Sequence, residues 1–125
     1  MSSPTCEERI DEYLLSTAGD IKEMYKADIE NGGGGFDNEY GLCIDVVNTE
    51  ECGWTGPDYA RYQLSWGGPS SEFRFYFNGK IEYWFMDWFD GANRDVTEHD
   101  WAQWLKHEMV ASSSEVFRFI HFGEA

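Results

Sequence analysis

The 125-residue chain is predicted to fold as one α+β domain, with helices packed on one face of a three- or four-stranded antiparallel sheet. Three observations predict it. A helical apolar period runs through residues 10–28, and strand-like alternation with turn signals fills residues 42–86. Helical spacing then returns after residue 97. The expected organisation is a single domain over 1–125: a helix at 5–31, a Gly-rich loop at 32–41, a β-meander at 42–86 and a helical segment at 97–122.

The first helix opens on Thr5-Cys6-Glu7-Glu8, a capping box in which the Thr hydroxyl accepts from a backbone N–H three residues on and the Glu reaches back. Ile10, Tyr13, Leu14, Thr17, Ile21, Met24, Tyr25 and Asp28 share one face. Glu8, Glu12, Glu23 and Glu30 lie on the opposite face, flanked by Glu7 and Asp11. A kink is expected at Gly19-Asp20. Gly32-Gly33-Gly34-Gly35 ends the helix and reads as a flexible run unsuited to a rigid site.

Leu42–Val47 is rich in β-branched residues and reads as the first strand; residues 48–58 are turn-rich. Tyr59–Trp66 alternates and reads as the second strand. Gly67–Ser71 is a turn, and Glu72–Phe77 is the third strand. Asn78-Gly79 predicts a type I′ hairpin leading into Lys80–Met86. The aromatics of these last two strands should fill the core. Asp87–Asp95 reads as a loop. Thr97 is the expected cap of the next helix, with Asp100 at its third position, and Ser112-Ser113-Ser114 breaks that helix. Val116–Phe122 is expected as a short helix docked on the sheet, an edge strand being the alternative.

Charge separates the function classes. The 24 Asp and Glu against nine Lys and Arg leave a net charge of −15. The excess is −7 over residues 1–40, −5 over 41–91 and −3 over 92–125. Nine scattered cations cannot form the basic stripe that contacts phosphates, which argues against direct nucleic-acid binding. The chain is 18% aromatic, whereas acidic disordered tails are poor in aromatics. The acid therefore belongs to a folded body suited to a basic partner, although solubility alone also explains it. No apolar run approaches a membrane span, and the N-terminus lacks a basic-then-apolar leader, so the expected location is the cytosol. Three cysteines, Cys6, Cys43 and Cys52, fit free, buried or half-buried thiols in a reducing compartment.

Catalytic signatures are absent. The glycine run lacks a following Lys-Ser/Thr, and Gly-x-Ser-x-Gly does not occur. His99 and His107 are two turns apart without Cys or carboxylate at a zinc spacing, and His121 stands alone. The expectation is a non-enzymatic protein with no catalytic residue, cofactor or metal. Candidate partner-binding residues are Glu8, Glu12, Glu23 and Glu30 on the first helix, Glu50, Glu51 and Asp58 in the turn after the first strand, and Asp87, Asp90 and Asp95 in the later loop. Trp54, Trp88 and Phe89 are candidate loop anchors, the core being the alternative place for such rings. Carboxylates four residues apart on a helix lie about 6 Å apart, comparable to phosphates along a strand. Lys22 and Lys26 interrupt that ladder.

Trp66-Gly67-Gly68-Pro69-Ser70, Glu72-Phe73-Arg74-Phe75 and Ile81–Ala92 resemble a type of small protein encoded by phages and prophages. With its size and charge, the chain is similar to the anti-CRISPR proteins, in particular inhibitors of type I (Cascade) systems. That class shares no common fold and no catalytic signature, so the resemblance carries over no individual residue. It implies a monomer or homodimer that binds a basic, nucleic-acid-binding surface of a Cascade subunit or similar host defence protein and blocks DNA. An anti-restriction protein or other DNA mimic, or a structural or accessory phage protein, has the same outward features.

Overall fold

The computed structural model describes residues 4–66, 69–87 and 89–123. Three helices and a five-stranded sheet make an α+β fold, in the order α1 (Cys6–Asn31), β1 (Cys43–Val47), β2 (Tyr59–Ser65), β3 (Ser70–Tyr76), β4 (Ile81–Asp87), β5 (Asp90–Asp95), α2 (Asp100–Ser112) and α3 (Ser114–Phe122). The strands form an antiparallel meander, each beside its neighbour in sequence.

α1 runs as one α-helix through Gly19-Asp20, where a kink was expected. Thr5 caps it, its hydroxyl accepting from the Glu8 N–H at 3.2 Å. The Glu8 carboxylate accepts from that same hydroxyl at 3.2 Å, where a bond to the Thr5 backbone was expected. Cys6, Ile10, Ala18 and Ile21 form its buried stripe. Tyr13 lies at the edge of that stripe and stacks on Phe85 with ring centres 4.4 Å apart. Gly32, at φ 68°, closes the helix in the left-handed conformation, and the Gly33 N–H reaches the Asp28 carbonyl at 2.8 Å. The glycine run is not free of the body. The Gly35 N–H donates to Asp28 Oδ1 at 3.0 Å, and Trp104 Nε1 on α2 donates to Asp28 Oδ2 at 3.1 Å. One carboxylate thus ties α1, the loop and α2 together.

Register sorts the sheet's two faces, because directly paired residues share a face. Phe73 pairs with Tyr62 and Tyr83, and Phe75 with Ala60 and Ile81. These six residues, with Phe85, are buried beneath the helices. Phe73, Phe75, Tyr83 and Phe85 fill the core as expected, whereas Tyr76 and Trp84 lie on the opposite face and Phe77 is exposed in the hairpin. On the other face Asp45, Arg61, Arg74, Glu82 and Asp95 stand in one cross-strand row. Arg61 and Arg74 face each other directly, an arrangement tolerable only if each has its own counter-ion. Arg61 takes Asp45 through two hydrogen bonds of 3.1 and 2.8 Å. Arg74 takes Glu72 at 2.7 Å.

Four local expectations need correction. Residues 90–95 form a fifth strand, not a loop; Asp-Gly-Ala-Asn-Arg-Asp has little strand propensity, and only Ala92 in it is buried. Backbone pairing to β4 and the grip of Arg94 on α1 hold this edge strand. The Tyr76–Lys80 hairpin has a three-residue loop, with the Gly79 N–H bonded to the Tyr76 carbonyl and Gly79 at φ 96°. That is a turn centred on Phe77-Asn78 followed by a left-handed Gly, in place of a two-residue type I′ loop. Thr97 does not cap α2. Its hydroxyl donates to Asp95 Oδ1 at 2.6 Å and accepts the Ile81 N–H at 2.9 Å, and His99 occupies the cap without a side-chain bond. Cys43 and Cys52 are exposed; only Cys6 is buried among the three free thiols. The tail is the expected short helix, capped by Ser113, whose hydroxyl accepts from Val116 N–H at 3.3 Å.

Candidate acidic interaction surface

Most cations are consumed internally. Arg9 pairs with Asp87 at 2.6 Å, Arg61 with Asp45, Arg74 with Glu72, Lys80 with Glu82 at 3.1 Å, and Lys26 with Glu30 at 4.0 Å. Arg94 holds two carboxylates, Glu7 and Asp11, each at 2.9 Å. Among the described residues only Lys22, Lys106 and Arg118 make no ion pair. Of the carboxylates left over, Asp28, Asp58, Asp90 and Asp95 are bound by internal donors, while others, Glu8, Glu12, Glu23, Glu50 and Glu51 among them, are exposed without a counter-ion.

The structure divides the predicted residues between two ends of the sheet. At one end β4 turns into β5, and the N-terminus of α1 docks there. Asp90 Oδ2 accepts the Cys6 N–H at 2.7 Å, so a carboxylate sits at the positive end of the helix. That bond holds the Asp90 carboxyl below the usual carboxylate range. Burial pushes the Cys6 thiol up, and the neighbouring Asp90 charge adds to the effect. Asp87 is held by Arg9. Asp87 and Asp90 are therefore clamps that fix α1 to the sheet. The exposed carboxylates Glu8 and Glu12 stand one turn apart on the free side of that docked helix. Glu23 follows about 16 Å further along the axis, and Glu30 beyond it lies 4.0 Å from the Lys26 ammonium in an exposed pair. The ladder is thus split into an N-terminal cluster and one distant carboxylate.

Glu50, Glu51, Asp58 and Asp95 lie at the opposite end of the sheet. Glu50 and Glu51 are exposed in the β1–β2 turn. Asp58 is structural: its Oδ1 accepts the Thr49 N–H at 2.9 Å and the Thr49 hydroxyl at 3.0 Å. Asp95 is likewise occupied by the Thr97 hydroxyl and N–H, which hold its carboxyl below its ordinary value. Trp54 is 52% exposed in the same turn, and Phe89 is fully exposed at the tip between β4 and β5. These two rings are therefore available for contact and are not core. Trp88 lies outside the described residues.

Sequence reasoning passed over Leu15 and Trp66. Leu15 is 74% exposed, and helical spacing puts it on the outward face with Glu8 and Glu12. Its failure to fit the buried stripe was the available signal. Trp66 is 62% exposed at the end of β2, on the same end of the sheet as Phe89. Leu15 adds an apolar contact point to the Glu8–Glu12 face of α1, and Phe89 and Trp66 add two at the end of the sheet where α1 docks, groups suited to a partner that combines cations with apolar surface.

A cleft of about 710 Å³ beside β1 is lined by Asp45, Glu51, Cys52, Arg61 and Glu115, among others. Its polar groups bind one another: Arg61 is tied to Asp45, and Glu115 Oε1 accepts the Val46 N–H at 3.0 Å. Among the described residues no group of three or more His, Cys, Asp or Glu is placed to hold a metal ion. Nor is any described helix long and apolar enough to cross a membrane. No protein-family model, curated protein or solved structure matches this chain.

Proposed function

We propose that this protein is a phage-derived, non-enzymatic anti-CRISPR inhibitor of the bacterial cytosol, binding a type I effector stoichiometrically and blocking its access to DNA. The observation that carries the reading is the segregation of charge. Six of the nine Lys and Arg are spent in internal ion pairs, while Glu8, Glu12, Glu23, Glu50 and Glu51 project without counter-ions. A molecule arranged in this way presents a net negative field outward, interrupted at Lys22, Lys106 and Arg118. The resemblance of residues 66–92 to phage-encoded proteins supplies the type of partner.

Cascade holds DNA along Lys- and Arg-lined surfaces. A field of this sign is attracted to such surfaces, raising the association rate, and the attraction weakens as salt rises. The α1 cluster with Leu15 and Phe89 is the preferred contact, because acid and exposed apolar groups coincide there. The split ladder favours occupation of a basic surface over literal imitation of a DNA strand.

The test is an interference assay in cells with an active type I system, paired with capture by the purified effector at low salt. Loss of interference with one-to-one capture supports the proposal. Full interference with no capture by any Cascade overturns it. Capture by a restriction enzyme in place of Cascade moves the protein to the anti-restriction class.

A further inference from the structure

The C-terminal helix carries a surface of a different character. α3 is apolar on both sides. Val116 and Phe119 are buried inward, whereas Phe117 and Phe122 are 45% and 66% exposed outward. Phe117 packs on His121 with ring centres 4.3 Å apart and lies 6.3 Å from Phe122. Phe77, 56% exposed, comes from the β3–β4 hairpin and sits against Gly123 at the end of α3. Tyr76, Phe77, Phe119 and Gly123 line a small hollow of about 250 Å³ beside it. Three exposed rings brought together by one helix and a neighbouring hairpin make an apolar patch of the kind that marks an interaction site.

We infer that this face is covered by a second copy of the same chain, through a two-fold contact centred on α3. Charge selects that occupant. Two bodies of net charge −15 repel wherever unpaired carboxylates meet. Ser114–Phe122 is locally balanced, with Glu115 against Arg118, and Arg118 has no ion-pair partner among the described residues. Antiparallel α3 helices place Arg118 of one copy beside Glu115 of the other, whose second carboxylate oxygen is free of the Val46 bond. A basic partner meets an unpaired Arg here and finds better ground on α1. Area bounds the strength. At about 200 Å² per ring, the three phenylalanines expose roughly 300 Å². A standard interface buries about 800 Å² per partner, so the rings form an interface core and the dimer is weak.

Sedimentation between about 5 and 500 µM at two salt concentrations tests this. The expected result is a reversible monomer–dimer equilibrium that tightens as salt screens the net repulsion. Phe117→Glu and Phe122→Glu each weaken it at least tenfold, as does Arg118→Glu, while Lys22→Glu, the same charge change on α1, leaves it within about twofold. Far-ultraviolet dichroism identifies any variant that fails to fold, and Arg118→Glu, whose side chain is exposed, keeps the inference testable in that case. A monomer at every concentration and salt overturns the inference, as does a dimer indifferent to Arg118→Glu. Loss of effector capture by the α3 variants, with no dimer in the wild type, assigns this face to the partner and also overturns it. Raised salt strengthens this contact but weakens effector binding, so failure of one idea is distinguishable from failure of the other.

Discussion

The guanidinium carbon of Arg74 lies 3.9 Å from the centre of the Trp84 ring, on the sheet face away from the helices. Tyr59 flanks it at 4.4 Å, and its Nε donates to the nearly buried Glu72. One cation is thereby withdrawn from the surface, whereas Lys26 and Lys80, though paired, keep their side chains exposed. Arg74→Ala leaves Glu72 without its counter-ion in a site from which water is largely excluded. Loss of about 3 kcal/mol of stability is expected by urea denaturation. Arg74→Lys keeps the charge but loses the planar stacking, and should fall between the two.

Gly35 tests the anchoring of the loop. A Cβ there collides with the Asp28 backbone nitrogen and the Met24 carbonyl, neither of which is a flexible side-chain end. Gly35→Ala should lower stability by about 2 kcal/mol, whereas Gly34→Ser, at a site with open space around it but φ 77°, should cost about 1 kcal/mol. Equal effects at the two positions would show that the loop is not held against α1.

Glu82 governs part of the acid response. Burial alone raises its pKa, but bonds from the Tyr76 hydroxyl at 2.6 Å, Trp84 Nε1 at 3.0 Å and the Lys80 ammonium more than offset this, so the carboxyl lies below its ordinary value. The unfolded chain therefore binds this proton more readily. The stabilisation is present above the unfolded pKa and is lost as pH falls through the lower folded value. Asp90 and Asp95, both lowered by hydrogen bonds, act in the same direction. Stability should fall between about pH 5 and pH 2, and Glu82→Gln should flatten that slope. An unchanged slope in Glu82→Gln rules Glu82 out as a contributor.

Arg94 holds Glu7 and Asp11 through exposed pairs. Its removal should alter stability by about 1 kcal/mol or less. It also frees two carboxylates beside Glu8 and Glu12. If that end of α1 meets a basic partner, Arg94→Ala should tighten effector binding at low salt. Weaker binding would place the contact elsewhere.

Much of the fold was legible because its signals are local and periodic. The Thr5 cap, the apolar spacing from Ile10 and the alternation around Phe73 and Tyr83 each encode an element within a few residues. β5 was not legible, since Asp90–Asp95 has little strand propensity of its own and is held by backbone pairing to β4 and by Arg94 reaching α1, which is distant in sequence. The candidate site was legible as composition but not as geometry. Asp58, Asp87, Asp90 and Asp95 resemble free acid in a sequence, yet each is bound to a particular donor in the folded chain. Leu15 escaped notice because its place off the buried stripe was the one signal, and a single exposed apolar residue is too common to point to a site by itself.

The central claim is that unpaired acid on α1 competes with DNA for a basic effector surface. The most direct measurement is competition between this protein and target DNA for a purified type I effector, across a salt series, with Glu8→Gln/Glu12→Gln/Glu23→Gln beside the wild type. The wild type is expected to displace DNA at low salt and to lose binding steeply as salt rises, and the folded triple variant to compete at least about tenfold more weakly. Competition that is unchanged in the triple variant, or indifferent to salt, contradicts that claim.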